Sequence, residues 1–197
     1  MAQSSTSLVE EQELWHRFRH GDEEAFSILA NRHYRKLLHY GQKFSSNTQF
    51  VEDALQELLI HLWLHRATLN DTPSVTFYLL KAFRHQLIKA LKRRAYEQLL
   101  DGQADAISFD FSIEQNYIQQ ETHNLLERTV EAALAQLPAR QKEVIYLRYY
   151  QGLRPEEIAS LLDIKPQSVS NILQRALTRL RENWPSILLI GLLFLYK

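Results

Sequence analysis

The chain has 197 residues, room for one ordinary domain or two small ones, and its 45% hydrophobic content supplies a core and excludes wholesale disorder. Having no cysteine, it can form no disulfide, no thiolate metal site and no thiol nucleophile. The formal net charge of zero conceals a segregated pattern: 81–94 carries six Lys/Arg and no acid, 101–134 seven acids and one Arg, and 165–181 four basic residues and no acid. Two basic segments on either side of an acidic one point to two anion-binding modules and a linker, whereas a merely solvated surface would intersperse its signs.

Five Gly, five Pro and few β-branched runs predict an all-α fold. The opening residues, MAQSSTSLVEEQELW, lack the basic start and apolar stretch of a signal peptide, and a reducing cytoplasm is the expected compartment. Asp22, followed by Glu23 and Glu24, is a helix start, with a capping carboxylate and acids in the first turn. Phe26, Leu29, His33, Leu37, Tyr40 and Phe44 then recur at spacings of three and four and form one apolar face. SSNTQ breaks the pattern, and a second helix begins near Phe50. TLNDTPS, 68–74, is a loop, and a long helix follows from Val75 to beyond Arg94 with Leu80, Phe83, Leu87 and Leu91 inward. Residues 101–116 show no helical period and read as an acidic linker. Helix resumes near Tyr117 and runs through Leu125, Val130, Leu134 and Leu137 to Pro138. ARQKEVIYLRYYQG, RPEEIASLLD and KPQSVSNILQRALTRLR are three further helices, the first ended by Gly152.

Two faces of these helices are unusual. On VEDALQELLIHLWLH, 51–65, Val51, Leu55, Leu58 and Leu62 make the core side. The opposite side holds Glu52, Asp53, Gln56 and Glu57 around Ile60 and Leu64. Scattered exposed aliphatics are ordinary, but a pair centred among carboxylates suits the docking of another helix. On the long helix Tyr78, Lys81, His85, Lys89 and Lys92 run along one side. A ladder of cations headed by an aromatic suits a phosphate backbone and an unpaired base. His61 and His65, spaced i, i+4 near the core side of their helix, are read as structural histidines, because a zinc site wants three or four ligands.

The segment 155–181 has the form of a helix-turn-helix. Pro155 and Pro166 sit at first helical positions, and the joint DIKP is short. Ile158, Ala159 and Leu162 are expected to pack on Val169, Ile172, Leu173 and Ala176. The outer face of the second helix shows Gln167, Ser168, Ser170, Asn171, Gln174, Arg175 and Thr178. These groups suit base edges and phosphates, where a plain hairpin would carry Glu–Lys pairs.

With these motifs in order, the chain resembles the sigma-70 family of RNA polymerase sigma factors, in its extracytoplasmic-function group, over roughly residues 10–182. VEDALQELLIHLW is similar to the helix that docks on the polymerase clamp helices. FYLLKAFRHQLIKALKRR resembles the promoter-melting, minus-ten-reading segment, and 137–181 the domain that reads the minus-thirty-five element. The resemblance implies an N-terminal domain over 1–100, a flexible acidic linker over 101–116, a helix-turn-helix domain over 117–184 and an apolar tail over 185–197. It implies polymerase contacts at Asp53, Gln56, Glu57, Ile60 and Leu64. It implies minus-ten contacts at Tyr78, Lys81, Arg84, His85, Lys89, Lys92 and Arg93, with the loop 66–76 meeting melted DNA. Minus-thirty-five contacts fall on Lys165, Gln167, Ser168, Ser170, Asn171, Gln174 and Arg175. The implied partners are core polymerase, promoter DNA and an inhibitory anti-sigma protein, with no small-molecule substrate, no cofactor, no metal and no catalysis by the chain itself. Phe109 and Phe111 would thread polymerase channels with the linker.

The chain departs from the family pattern at several positions. His85 stands where Asn is common. Arg154 and Lys165 replace capping Ser or Thr, leaving both helix starts to their prolines, and Asp163 replaces a turn Gly. The run 187–196 is too short to span a bilayer, which takes roughly 20 residues, and is expected to pack as a docking or regulatory segment. A stand-alone helix-turn-helix regulator is the alternative reading, and it leaves Ile60, Leu64 and the first basic helix without a role.

Overall fold

A computed structural model describes residues 2–100, 108–110, 130 and 132–182, with 2–8 and 97–100 as backbone only. The expected helix from Tyr117 through Leu125, most of the acidic linker including Phe111, and the apolar tail lie outside the described residues. Among the described residues there are helices and no strand. The chain divides into two units, Met1–Ile107 and Ser108–Lys197.

The first unit packs four helices: α1 (Ala2–Arg19), α2 (Glu23–Gln42), α3 (Thr48–His65) and α4 (Val75–Leu100), with a 3₁₀ turn at Arg66–Thr68. Sequence reading assigned no helix before Asp22, yet α1 buries Glu11, Leu14, Trp15 and Phe18. Those spacings of three, one and three make an apolar stripe, obscured in the sequence by the glutamate within it. That glutamate is matched on α2, where His33 Nε2 lies 2.8 Å from Glu11 Oε1 and both side chains are buried. The hydrogen bond from His33 holds the Glu11 carboxyl below its ordinary range against the opposing effect of burial, and Arg32 and Lys36 act in the same direction as His33.

The cap at Asp22 falls where the sequence places it, and two more close the starts of α3 and α4. Asp22 Oδ1 accepts from the Ala25 N–H at 3.0 Å, and Asn47 Oδ1 accepts from the Phe50 N–H at 3.0 Å. Ser74 Oγ accepts from the Phe77 N–H at 3.2 Å at the start of α4. The core sides of α3 and α4 are buried as expected at Val51, Leu55, Leu58 and Leu62, and at Leu80, Phe83 and Leu87. Leu91 is only half-buried, and Ala25 displaces the half-buried Phe26 from the centre of the α2 stripe. Gly41 lets α2 approach its neighbours: a Cβ there would stand 2.4 Å from Val51 Cγ1 and 3.0 Å from the Phe83 ring.

The second unit contains α5 (Ala139–Ile145), α6 (Pro155–Leu162) and α7 (Pro166–Glu182), preceded by helical residues 132–135. ARQKEVIYLRYYQG is not one uniform α-helix. After Ile145 it widens into a π turn, Tyr146–Tyr150, closed by Gln151 N–H donating to the Tyr146 carbonyl at 3.1 Å. Gly152 then takes a left-handed φ of 69°. The core comprises Leu134, Leu137, Val144–Leu147, Leu153, Ile158, Ala159, Leu161, Leu162, Val169 and Ala176, while Val130 is exposed. Ile172 and Leu173 are half-buried rather than central.

One part of the expected linker is docked. Phe109 is 3% exposed, edge-on to Tyr146 with ring centroids 5.8 Å apart, and Asp110 pairs with Lys142 at 3.3 Å. Phe109, expected to thread a polymerase channel in the complex, is here a core contact of the second unit.

Candidate nucleic-acid interface

On α3, Ile60 and Leu64 are 60% and 67% exposed, and Asp53, Gln56 and Glu57 are exposed around them. Helical geometry forces this outcome, because with Val51, Ala54, Leu55, Leu58 and Leu62 inward the 53/57/60/64 stripe must face out. His61 and His65 are exposed as well, which corrects their placement near the core. Their rings stack at 4.1 Å, and His65 Nδ1 donates to the His61 carbonyl at 2.9 Å. Among the described residues no three metal-ligating side chains converge.

On α4, Lys81, His85, Lys89, Lys92 and Arg93 are exposed and Arg84 is half-buried. Tyr78 differs from the free aromatic of the sequence reading. Its ring lies on Trp15 of α1 at 4.9 Å, and burial raises its phenol pKa. The α3 and α4 faces meet in a groove of about 620 Å³, with Asp53 and Glu57 on one wall and Lys89, Arg93 and Arg94 on the other. Phe50 lies at its side beneath the Arg94 guanidinium, 5.3 Å from the ring centroid. The expected polymerase-facing carboxylates and DNA-facing cations thus share a border.

On the second unit, α6 and α7 form the helix-turn-helix. Asp163 adopts the left-handed conformation (φ 54°, ψ 51°) that a turn glycine would take, which a short polar side chain tolerates. The start of α6 does not rest on Pro155 alone. The Arg154 N–H donates to Glu157 Oε2 at 2.8 Å and its guanidinium to Oε1 at 3.3 Å, the glutamate half of a capping box. Lys165, just before α7, and Gln167, Ser170, Asn171, Gln174 and Arg175 on it are exposed, and Ser168 is half-buried. Gln167 Nε2 donates to Asn171 Oδ1 at 3.2 Å, so two of the expected base readers hold each other before any base is present.

Sequence reading missed Arg140. Its guanidinium donates to the Leu162 carbonyl at 3.0 Å, at the end of α6, and to the buried Glu143 at 3.2 Å, which ties α5 to the helix-turn-helix joint. The signal available was the i, i+3 Arg–Glu pair, which does not announce a carbonyl 22 positions away.

Comparison with known proteins agrees with this arrangement. Residues 29–96 match the family model for sigma-70 region 2, and residues 127–180 match that for sigma-70 region 4. The ECF RNA polymerase sigma factor SigL of Mycobacterium tuberculosis is 28% identical over 154 residues, 78% of this chain and 85% of its own length. The ECF RNA polymerase sigma factor SigX of Bacillus subtilis is 27% identical over 165 residues, 82% of this chain and 84% of its own. The fold is similar to the sigma factor RpoE of Bartonella quintana, solved in complex with the anti-sigma factor NepR. That match has a TM-score of 0.61 and 22% identity, covering 81% of this chain and 96% of that one. CnrH, solved with the cytosolic domain of CnrY, aligns with a TM-score of 0.57 and 17% identity over 89% of this chain and 97% of that one. With region 2 in its first unit, region 4 in its second and relatives matched along most of its length, the chain belongs to the sigma-70 family of RNA polymerase sigma factors.

Proposed function

We propose that this chain is a promoter-specificity factor of the extracytoplasmic-function type, acting in the cytoplasm with core RNA polymerase. Asp53, Gln56, Glu57, Ile60 and Leu64 dock on polymerase. Tyr78, Lys81, Arg84, His85, Lys89, Lys92 and Arg93, with the loop 66–76, meet the minus-ten element and its melted strand. Lys165, Gln167, Ser168, Ser170, Asn171, Gln174 and Arg175 enter the major groove at minus thirty-five. The chemistry of RNA synthesis is polymerase's own, and the chain contributes binding and strand separation. The observation that carries this reading is the exposed Ile60/Leu64 pair among carboxylates, on the same chain as a polar recognition helix. A stand-alone regulator needs only the second. Because RpoE of Bartonella quintana was solved with an anti-sigma factor, we place an inhibitory protein of that kind among the partners of this chain.

Run-off transcription with purified core polymerase on a randomised promoter library tests the proposal. The expected result is a selected two-element promoter, with Asn171→Ala relaxing preference at one minus-thirty-five position by about 1–3 kcal/mol of discrimination. Binding of the chain to DNA without any association with core polymerase would leave only the regulator reading.

A further inference from the structure

Residues 69–74 connect the 3₁₀ turn to α4 without helix of their own, yet one stripe of α1 holds them at three points. Gln12 Nε2 donates to the Pro73 carbonyl at 3.4 Å, Trp15 Nε1 donates to the Asn70 carbonyl at 3.1 Å, and the Arg19 guanidinium pairs with the Asp71 carboxylate. Spacings of three and four put Gln12, Trp15 and Arg19 on one face of α1. The loop also braces itself: Thr72 Oγ1 accepts from the Ser74 N–H at 3.3 Å and donates to the Ser74 carbonyl at 3.1 Å.

The anchors are the fixed side of these contacts. Trp15 is 2% exposed, and its ring also carries Tyr78. The Arg19 side chain is 19% exposed against 76% for Asp71, so the aspartate comes to the arginine rather than the reverse. Asn70, Asp71 and Pro73 remain at the surface. A loop ordered before its ligand arrives does not spend binding energy on ordering. An acid opposite a phosphate backbone is repulsive unless a cation offsets it.

We propose that Gln12, Trp15 and Arg19 of α1 are positioning residues for promoter readout. They set the backbone of the 69–74 loop in the shape that meets the melted minus-ten strand, seat Tyr78 beside it, and offset the charge of Asp71. The inference rests on the sigma-factor reading and deepens it, because α1 lies before the residues matched to region 2.

The test uses the full chain assembled with core polymerase on promoter fragments selected by the wild type and then randomised through the minus-ten segment. For Arg19→Met, core affinity should stay within about twofold while base preference at minus ten flattens by roughly five- to tenfold, the scale of one lost coupling. Preference at minus thirty-five should hold. Trp15→Phe, which keeps a buried ring but removes the N–H donor, should flatten the same positions. Reversing the pair, Arg19→Asp with Asp71→Arg, should recover much of the preference that Arg19→Asp alone loses, a rescue that general destabilisation would not produce. If Asn70→Ala or Asp71→Ala alters minus-ten preference while Arg19→Met and Trp15→Phe do not, α1 merely stabilises the unit and the inference fails with the promoter reading intact. If all four leave preference unchanged, the loop does not read the promoter, and its assigned contact falls together with the inference.

Discussion

Ile60 and Leu64 are two large aliphatic side chains left in water on a helix whose other apolar positions are buried or half-buried. Such a pair contributes nothing to the free protein, so its substitution separates binding from folding. Ile60→Glu should weaken association with core polymerase by roughly 2 kcal/mol or more, as loss of a central contact does. The melting temperature should hardly move; affinity measured by titration and Tm by calorimetry together check this. Glu11 presents the reverse case, a buried carboxylate whose partner is already inside the protein. Because the folded state holds its pKa below the ordinary value of 4.5, its stabilising effect is present above that value and is lost as pH falls through the lowered one. Glu11→Gln should therefore be less stable than wild type at neutral pH. The gap in urea midpoint should close as the pH drops below 4.5. A gap that stays constant down to the acid limit would mean that the contact does not favour the Glu11 carboxylate.

Among the helices, Gly41 decides how closely α2, α3 and α4 pack. Gly41→Ala forces a methyl against Val51 Cγ1 and the Phe83 ring, and the overpacking should cost about 1–3 kcal/mol in denaturant unfolding. Ala30→Gly, at a half-buried position of the same α2, should cost only about 1 kcal/mol, from propensity and one lost methyl group. A smaller loss at Gly41 than at Ala30 would show that the helices can move apart freely. The helix-turn-helix is assembled by a different logic. Its joint depends on the left-handed Asp163 and on Arg140 holding the last carbonyl of α6, both polar devices at the ends of helices. Apolar periodicity shows the two helices of the hairpin; it does not show what fixes the angle between them.

Over the whole molecule, the formal charge is zero, but 81–94 on α4 and 165–181 along α7 carry cations and no acid. Promoter affinity of the assembled polymerase should accordingly fall with salt, and Lys89→Ala should reduce the slope of log K against log salt by about 1 for all sequences alike. Asn171→Ala should leave that slope unchanged and alter sequence preference instead. Equal effects of the two substitutions on slope would remove the division between anchoring and reading.

The sequence by itself determined the helical class, the cap at Asp22, the buried stripes of α3 and α4, the stop at Gly152 and the exposed faces of α3 and α7. All of these are local, written in spacings of three and four and in the chemistry of helix ends, where a residue's neighbours in sequence are its neighbours in space. Only the tertiary structure decided the rest. It placed α1, whose stripe contains a glutamate that makes sense only opposite His33. It drew Tyr78 onto Trp15, Phe109 onto Tyr146 and Arg140 onto the carbonyl of Leu162. Each of these contacts joins residues at least 22 positions apart, and periodicity along one helix carries no information about what another element offers it. The hold of α1 on the 69–74 loop is of the same kind, since the acceptors at Asn70 and Pro73 are backbone carbonyls, which every residue possesses and no side-chain pattern distinguishes.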